Sequence, residues 1–264
     1  MFSLINRDLR MRLNFGRNLI LMQFVLLMMV TTFFIAVNEF SGLSKYNEWI
    51  TFDRFWNGFS EMDLENFRQS GTFKIPYLWL ILNIIFFLSL RAFLTSDLTS
   101  SGGAIIIRTG IQKFVLSKMI SLFVYTASFI MLPLLLVCCI SLYQFSIFHV
   151  NQSIITDWKL SLIYCFFLII SLFVQALFFE VISIVLGEIL AFIIVFGISF
   201  MSMFNGSVLL ISNYTMFSRW KESLVFIDNV FALFLWLVVL LLLLIKIEML
   251  IVKKMDFINE KGEK

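Results

Sequence analysis

The sequence predicts an all-α, polytopic membrane protein of about six transmembrane helices, with a short helix at its N-terminus and a short helix in one inner loop. Three observations lead there. Hydrophobic residues make up 61% of the chain and charged residues 14%, whereas a soluble domain is about half apolar and a quarter charged. The apolar excess is gathered into long uncharged runs, several near the roughly 20 residues a helix needs to cross the hydrocarbon layer. Lys and Arg collect in alternate connections between those runs, as they do when one set of loops stays inside.

Taken in order, the first run is Asn18 to Asn38, and the second is Ile75 to about Leu94, with Arg91 near its end. From Met119 to Thr156 there is no Asp, Glu, Lys or Arg, and the first two-thirds of that stretch form a third span. Leu160 to Phe179 is the fourth, Ile189 to about Phe204 the fifth, and Asn229 to Ile245 the sixth. The first run is too long for a signal peptide and no small-x-small site follows it, so it is expected to remain as an anchor. Cys138, Cys139 and Cys165 all fall within spans and read as small apolar residues, with no disulfide or metal spacing. The whole chain, 1–264, reads as a single transmembrane domain.

With the N-terminus inside, the inner segments hold Arg7, Arg10, Arg12, Arg17, Arg91, Arg108, Lys113, Lys118, Lys246, Lys253, Lys254, Lys261 and Lys264. The outer segments hold Lys45, Arg54, Arg68, Lys74, Lys159, Arg219 and Lys221. Both termini, including the tail 247–264, are therefore expected in the cytoplasm, and the chain in the cell membrane. The net charge of +3 is a topology signal and gives no reason to expect a nucleic-acid partner.

The connections carry what function can be read. Residues 1–17 place Phe2, Ile5, Leu9 and Leu13 on one helical face, the spacing of a helix lying in the inner interface with its arginines at anionic lipid headgroups. The outer loop 39–74 is rich in aromatic residues, among them Trp49, Phe52, Phe55, Trp56, Phe59 and Phe67. It is expected to form short helices on the outer leaflet, where Trp is favoured. Pro76 suits the first turn of the second span, and Pro133, inside the third, is expected to bend it.

The inner loop 95–118 is the most informative. It reads TSDLTSSGGAIIIRTGIQKFVLSK. Asp97 and small polar residues lead to Gly102 and Gly103, followed by the apolar Ala104, Ile105, Ile106 and Ile107. Arg108 ends that segment, Thr109 and Gly110 turn the chain, and Lys113 and Lys118 close the loop. This is the pattern of a short helix parallel to the membrane whose apolar residues need a partner other than water. The plain alternative is a hairpin connection packed on its own bundle.

This loop, with the six-span layout and the N-terminal helix, resembles the permease subunits of type-2 ABC transporters. The likeness is one of layout over nearly the whole chain and of residue pattern in this loop alone, where Thr109–Gly110 replace the family's apolar-Pro turn. It implies that Asp97, Gly102, Gly103, Ala104 to Arg108, Lys113 and Lys118 form a coupling helix and its flanks, docked on a separate ATPase subunit. It also implies pairing with a second permease copy or a sister subunit. The chain itself carries no G-x-x-x-x-G-K-[ST] phosphate loop, so ATP and Mg are expected on the partner and no cofactor on this chain.

An enzyme reading finds little support. His149 is the single histidine, and neither H-E-x-x-H nor G-x-S-x-G occurs. Polar residues at membrane depth are few. Asn83 and Gln175 are candidates for a cargo path, against the plainer reading that they bond between helices. Glu180 and Glu188, around the inner turn between the fourth and fifth spans, are candidates for a gate or second ATPase contact, against simple hydration or pairing with Arg91 or Lys118. Spans this apolar suit an exported amphipathic peptide best, then a drug or lipid, then a polysaccharide. A membrane immunity protein that binds a toxin without transporting it is the alternative of a different class.

Overall fold

The computed structural model describes residues 3–10, 21, 56, 58–71, 75–100, 109–148, 158–205, 207, 209–226 and 230–254. Among these the secondary structure is helical throughout. The elements are α1 (residues 3–10), α2 (Glu61–Ser70), α3 (Tyr77–Ser100), α4 (Ile111–Phe148), α5 (Trp158–Leu186), α6 (Glu188–Ser202), a 3₁₀ turn (Ile211–Thr215), α7 (Phe217–Phe226) and α8 (Val230–Lys254).

Among the described residues three helices are long and apolar enough to cross a membrane: Ile111–Leu132, Leu162–Leu186 and Phe231–Lys253. Two shorter apolar stretches, Tyr77–Leu90 and Glu188–Ser202, fall where the second and fifth spans were expected. The expected first span lies outside the described residues except at Leu21. Helix ends differ from the sequence reading in an instructive way. Helix α3 continues to Ser100 and α4 begins at Ile111, so only residues 101–110 connect them. Asp97, Lys113 and Lys118 are helical, not part of a loop. Helix α5 continues to Leu186 and α8 to Lys254, so part of the expected tail is helix. Hydrophobicity marks where a helix enters lipid, whereas the backbone hydrogen-bond ladder continues into polar surroundings until a breaker stops it.

Those breakers are visible. Gly187 stands between α5 and α6 at φ +84°, ψ 162°, a conformation nearly confined to glycine. Its N–H bonds Ser183 O at 3.0 Å, and its own carbonyl accepts from Ala191 N at 3.1 Å, so one residue serves both helix ends. Gly110, at φ +81°, turns the chain into α4. Helix α2 opens with a reciprocal cap: Asp63 N donates to Ser60 Oγ and Ser60 N to Asp63 Oδ2, each at 3.1 Å. Gly71 closes it in the left-handed conformation. Helix α4 is continuous on both sides of Pro133.

Helix α5 is the centre of the bundle. It packs against α4, α6, α8, the 3₁₀ turn and, more lightly, α3. Its membrane-length window is 72% buried, whereas that of α8 is 22% buried, so α8 lies at the periphery. Rows of Leu, Ile and Phe on α4, α6 and α8 remain exposed, as expected of surfaces that meet lipid.

Candidate functional site

Between α6 and α7 the chain does something the hydropathy profile does not show. Residues 211–217 turn inward, and Ser212, Asn213, Tyr214, Thr215 and Met216 are all buried. Irregular backbone can be enclosed in an apolar bundle only if the surrounding protein satisfies its polar groups. Here several elements do so. Trp79 Nε1 of α3 donates to Thr215 Oγ1 at 3.1 Å, and Tyr164 Oη of α5 donates to Thr215 O at 2.8 Å. Gln175 Nε2 of α5 donates to Ser212 Oγ at 3.2 Å, and that oxygen is 3.1 Å from Ser199 Oγ of α6. Asn213 Nδ2 closes the approach by bonding Asn205 O and Ser207 O. Burial raises the Tyr214 phenol above its ordinary range, so it stays neutral at physiological pH.

The segment ahead of α2 contributes as well. Phe217 N donates to Trp56 O at 2.7 Å, and Phe59 N faces Met216 Sδ at 3.5 Å. Trp56 and Phe59 are each about 1% exposed. These two aromatics were expected on the outer leaflet, and instead they are core. The amino acid pattern is the same for either placement, since a Trp or Phe satisfies a membrane interface and a protein interior equally well.

Asn83 and Gln175 lie just beneath this turn. Each is four residues before a partner in the Phe87–Phe179 ring contact, whose centroids are 6.1 Å apart. Each also follows the turn's geometry from above: Asn83 comes one helical turn after Trp79, and Gln175 bonds Ser212 directly. Both side chains therefore occupy one level of α3 and α5. Asn83 Nδ2 is used on Trp79 O at 2.8 Å, and Asn83 Oδ1, Gln175 Oε1 and Ser171 Oγ are buried without a hydrogen-bond partner. Asn83, Gln175 and Ser171 are all buried, and Gln175 is tied directly to the 3₁₀ turn.

The other residues singled out in the sequence separate. Glu180 is buried on α5, while Glu188 is the half-buried first residue of α6; each has polar or ionic interactions of its own. Lys113 is exposed on the first turn of α4, but Lys118 is about 4% exposed and lies over the Phe114 ring at 4.9 Å. Lys118 thus packs along α4, on the ring one turn before it. Asp97 is on α3. Gly102, Gly103, Ala104, Ile105, Ile106, Ile107 and Arg108 lie outside the described residues.

Sequence reasoning passed over Trp79, Tyr164, Ser212 and Thr215, although the run ISNYT, polar between two apolar stretches, was a signal. It also passed over Asp8, the only acidic residue among the first 38. Asp8 is fully buried, and Ser117 Oγ of α4 donates to its Oδ2 at 2.7 Å. Helix α1 is therefore held against α4 and is not only a lipid-surface helix. Among the described residues no three of His, Cys, Asp and Glu come together as a metal ion would require.

Comparison with protein-family models, curated proteins and solved structures finds no match.

Proposed function

We propose that the chain is the permease subunit of an ATP-driven exporter of the type-2 ABC class, with six spans and both termini in the cytoplasm. The observation that carries this reading is the connection between α3 and α4. Two long helices leave only residues 101–110 between them, and that connection consists of Ser101, a Gly pair, four apolar residues, Arg108, Thr109 and the left-handed Gly110. Such a segment is too apolar for a solvated loop and too short to cross the bilayer, which suits a coupling helix seated in a groove of a separate ATPase. ATP and Mg belong to that partner. Two permeases, identical or sister chains, would enclose the cargo path, and the apolar spans favour an amphipathic peptide over a sugar. A polar cargo would lose hydrogen bonds to water worth about 1–3 kcal/mol each without replacement.

The experiment is to reverse the charge at the end of the loop. Arg108→Glu should cut cargo-stimulated ATP hydrolysis at least tenfold, with the permease still inserted and folded, because the loop lies outside the bilayer. Ile106→Asp should weaken capture of the ATPase subunit. Wild-type assembly and coupled hydrolysis in both variants would end the coupling-helix reading.

Topology has its own measurement. A cysteine at Asp63, on α2, should react with an impermeant thiol reagent applied to intact cells, and a cysteine at Ser101 should react only after permeabilisation. Labelling of position 101 from outside would invert the arrangement and remove the loop from any cytoplasmic ATPase.

A further inference from the structure

Helix α1, described over residues 3–10, carries a buried carboxylate that meets α4. An interfacial helix held by lipid alone turns its apolar face to the acyl chains and its charges to the headgroups. Asp8 departs from that arrangement. It is fully buried, and its Oδ1 accepts from Arg7 Nε at 2.9 Å and Nη2 at 2.5 Å. Its Oδ2 takes the Ser117 hydroxyl, itself fully buried on the second turn of α4. Burying a carboxylate is costly unless charge-assisted hydrogen bonds satisfy both oxygens, and here both are satisfied, one from α1 itself and one from α4. Ser3, Asn6 and Arg10 remain exposed on the same helix, so the burial of Asp8 is specific to the face that meets α4. On α4 the neighbouring Lys118 is buried over Phe114, so this part of the helix is fixed by packing as well as by Asp8.

We infer that Asp8 is a positioning residue: it pins α1 to the start of α4, so that the two move as one unit. The pin itself follows from the geometry alone. Its consequence rests on the permease reading: a displacement delivered to the connection ahead of α4 would carry the N-terminal helix with it, and loss of the pin would let α4 move without α1.

The test uses the full chain in detergent and in its assembled complex. Asp8→Ala removes the acceptor, Ser117→Ala removes the donor, and the double variant completes a cycle. Each single variant should lower the melting temperature, and the double should melt no lower than the worse single, because both remove one contact. Additive losses would overturn the pin whether or not the protein transports anything. In the complex, Asp8→Ala should reduce cargo-stimulated ATP hydrolysis severalfold with basal hydrolysis unchanged. Non-additive melting with fully retained stimulation would keep the contact and overturn its role in coupling. Failure of the chain to recruit any ATPase would count against the permease reading and leave the melting result to decide the pin.

Discussion

Gly58→Ala is expected to destabilise the fold far more than the same change at Gly71, although both glycines have nearly the same positive φ. Gly58 is at φ +72° and Gly71 at φ +68°, where an L side chain costs about 1–2 kcal/mol. That contribution is common to both. The difference lies in what a methyl group would meet. At Gly71 no atom lies within 4 Å of the new carbon. At Gly58 it would overlap Met216 Cβ and Cγ and come within 2.8 Å of Sδ. Met216 is fully buried, and the overlap involves the root of its side chain, which cannot swing aside while the backbone stays. The flanking backbone is also tied, through the bond from Phe217 N to Trp56 O. Overpacking a fixed site costs about 1–3 kcal/mol. Gly58→Ala should therefore lose about 2–5 kcal/mol in all, against about 1–2 kcal/mol for Gly71→Ala. Thermal unfolding of the two variants in the same detergent measures the difference. Equal melting of the two glycine variants would mean that the segment ahead of α2 does not seat on the 3₁₀ turn.

The contrast between what the sequence disclosed and what it hid follows from the period of each signal. Uncharged runs of membrane length need only composition, and they anticipated α4, α5 and α8 as helices able to span. The ends of those helices were not legible, because polar residues such as Asp97, Lys113 and Lys118 continue a helix as readily as they leave it. Nor was the buried turn at Ile211–Thr215. Ser212 and Thr215 show an exposed pattern in a window average, and only the donors of Trp79, Tyr164 and Gln175, distant in sequence, make their burial affordable. Asn83 and Gln175 were picked out as polar groups at depth, and the structure puts them at one level beneath that turn. Asp8 was hidden for another reason. A single carboxylate in a basic stretch looks like charge balance until its partner, Ser117, is found 109 residues away.

The largest effect of a side-chain truncation is expected at Trp220 on α7. The ring is fully buried and stands among three others: Tyr164 at 5.3 Å, Phe167 at 5.9 Å and Phe217 at 6.0 Å between centroids. Tyr164 and Phe167 belong to α5, so Trp220, together with Phe217, which meets Tyr164 at 5.0 Å, attaches α7 to the central helix. Tyr164 in turn holds Thr215 O through its hydroxyl, which links this aromatic group to the buried turn. In a bundle surrounded by lipid, transfer from water contributes little to helix packing, and the loss on truncation comes mainly from contacts that have no replacement. Trp220→Ala should cost about 3–5 kcal/mol, the range for a large aromatic removed from a packed site. Trp220→Phe, which retains most of the contact, should cost well under half of that. Tyr164→Phe should leave the ring contacts in place and lose only the hydrogen bond, about 0.5–1.5 kcal/mol. Melting of the three variants gives the order Trp220→Ala lowest, then Trp220→Phe and Tyr164→Phe nearer wild type. If Trp220→Ala melted with Trp220→Phe, the ring would not be holding α7 to α5, and the enclosure of the 3₁₀ turn would rest on its other contacts, among them those of Trp79, Tyr164 and Gln175.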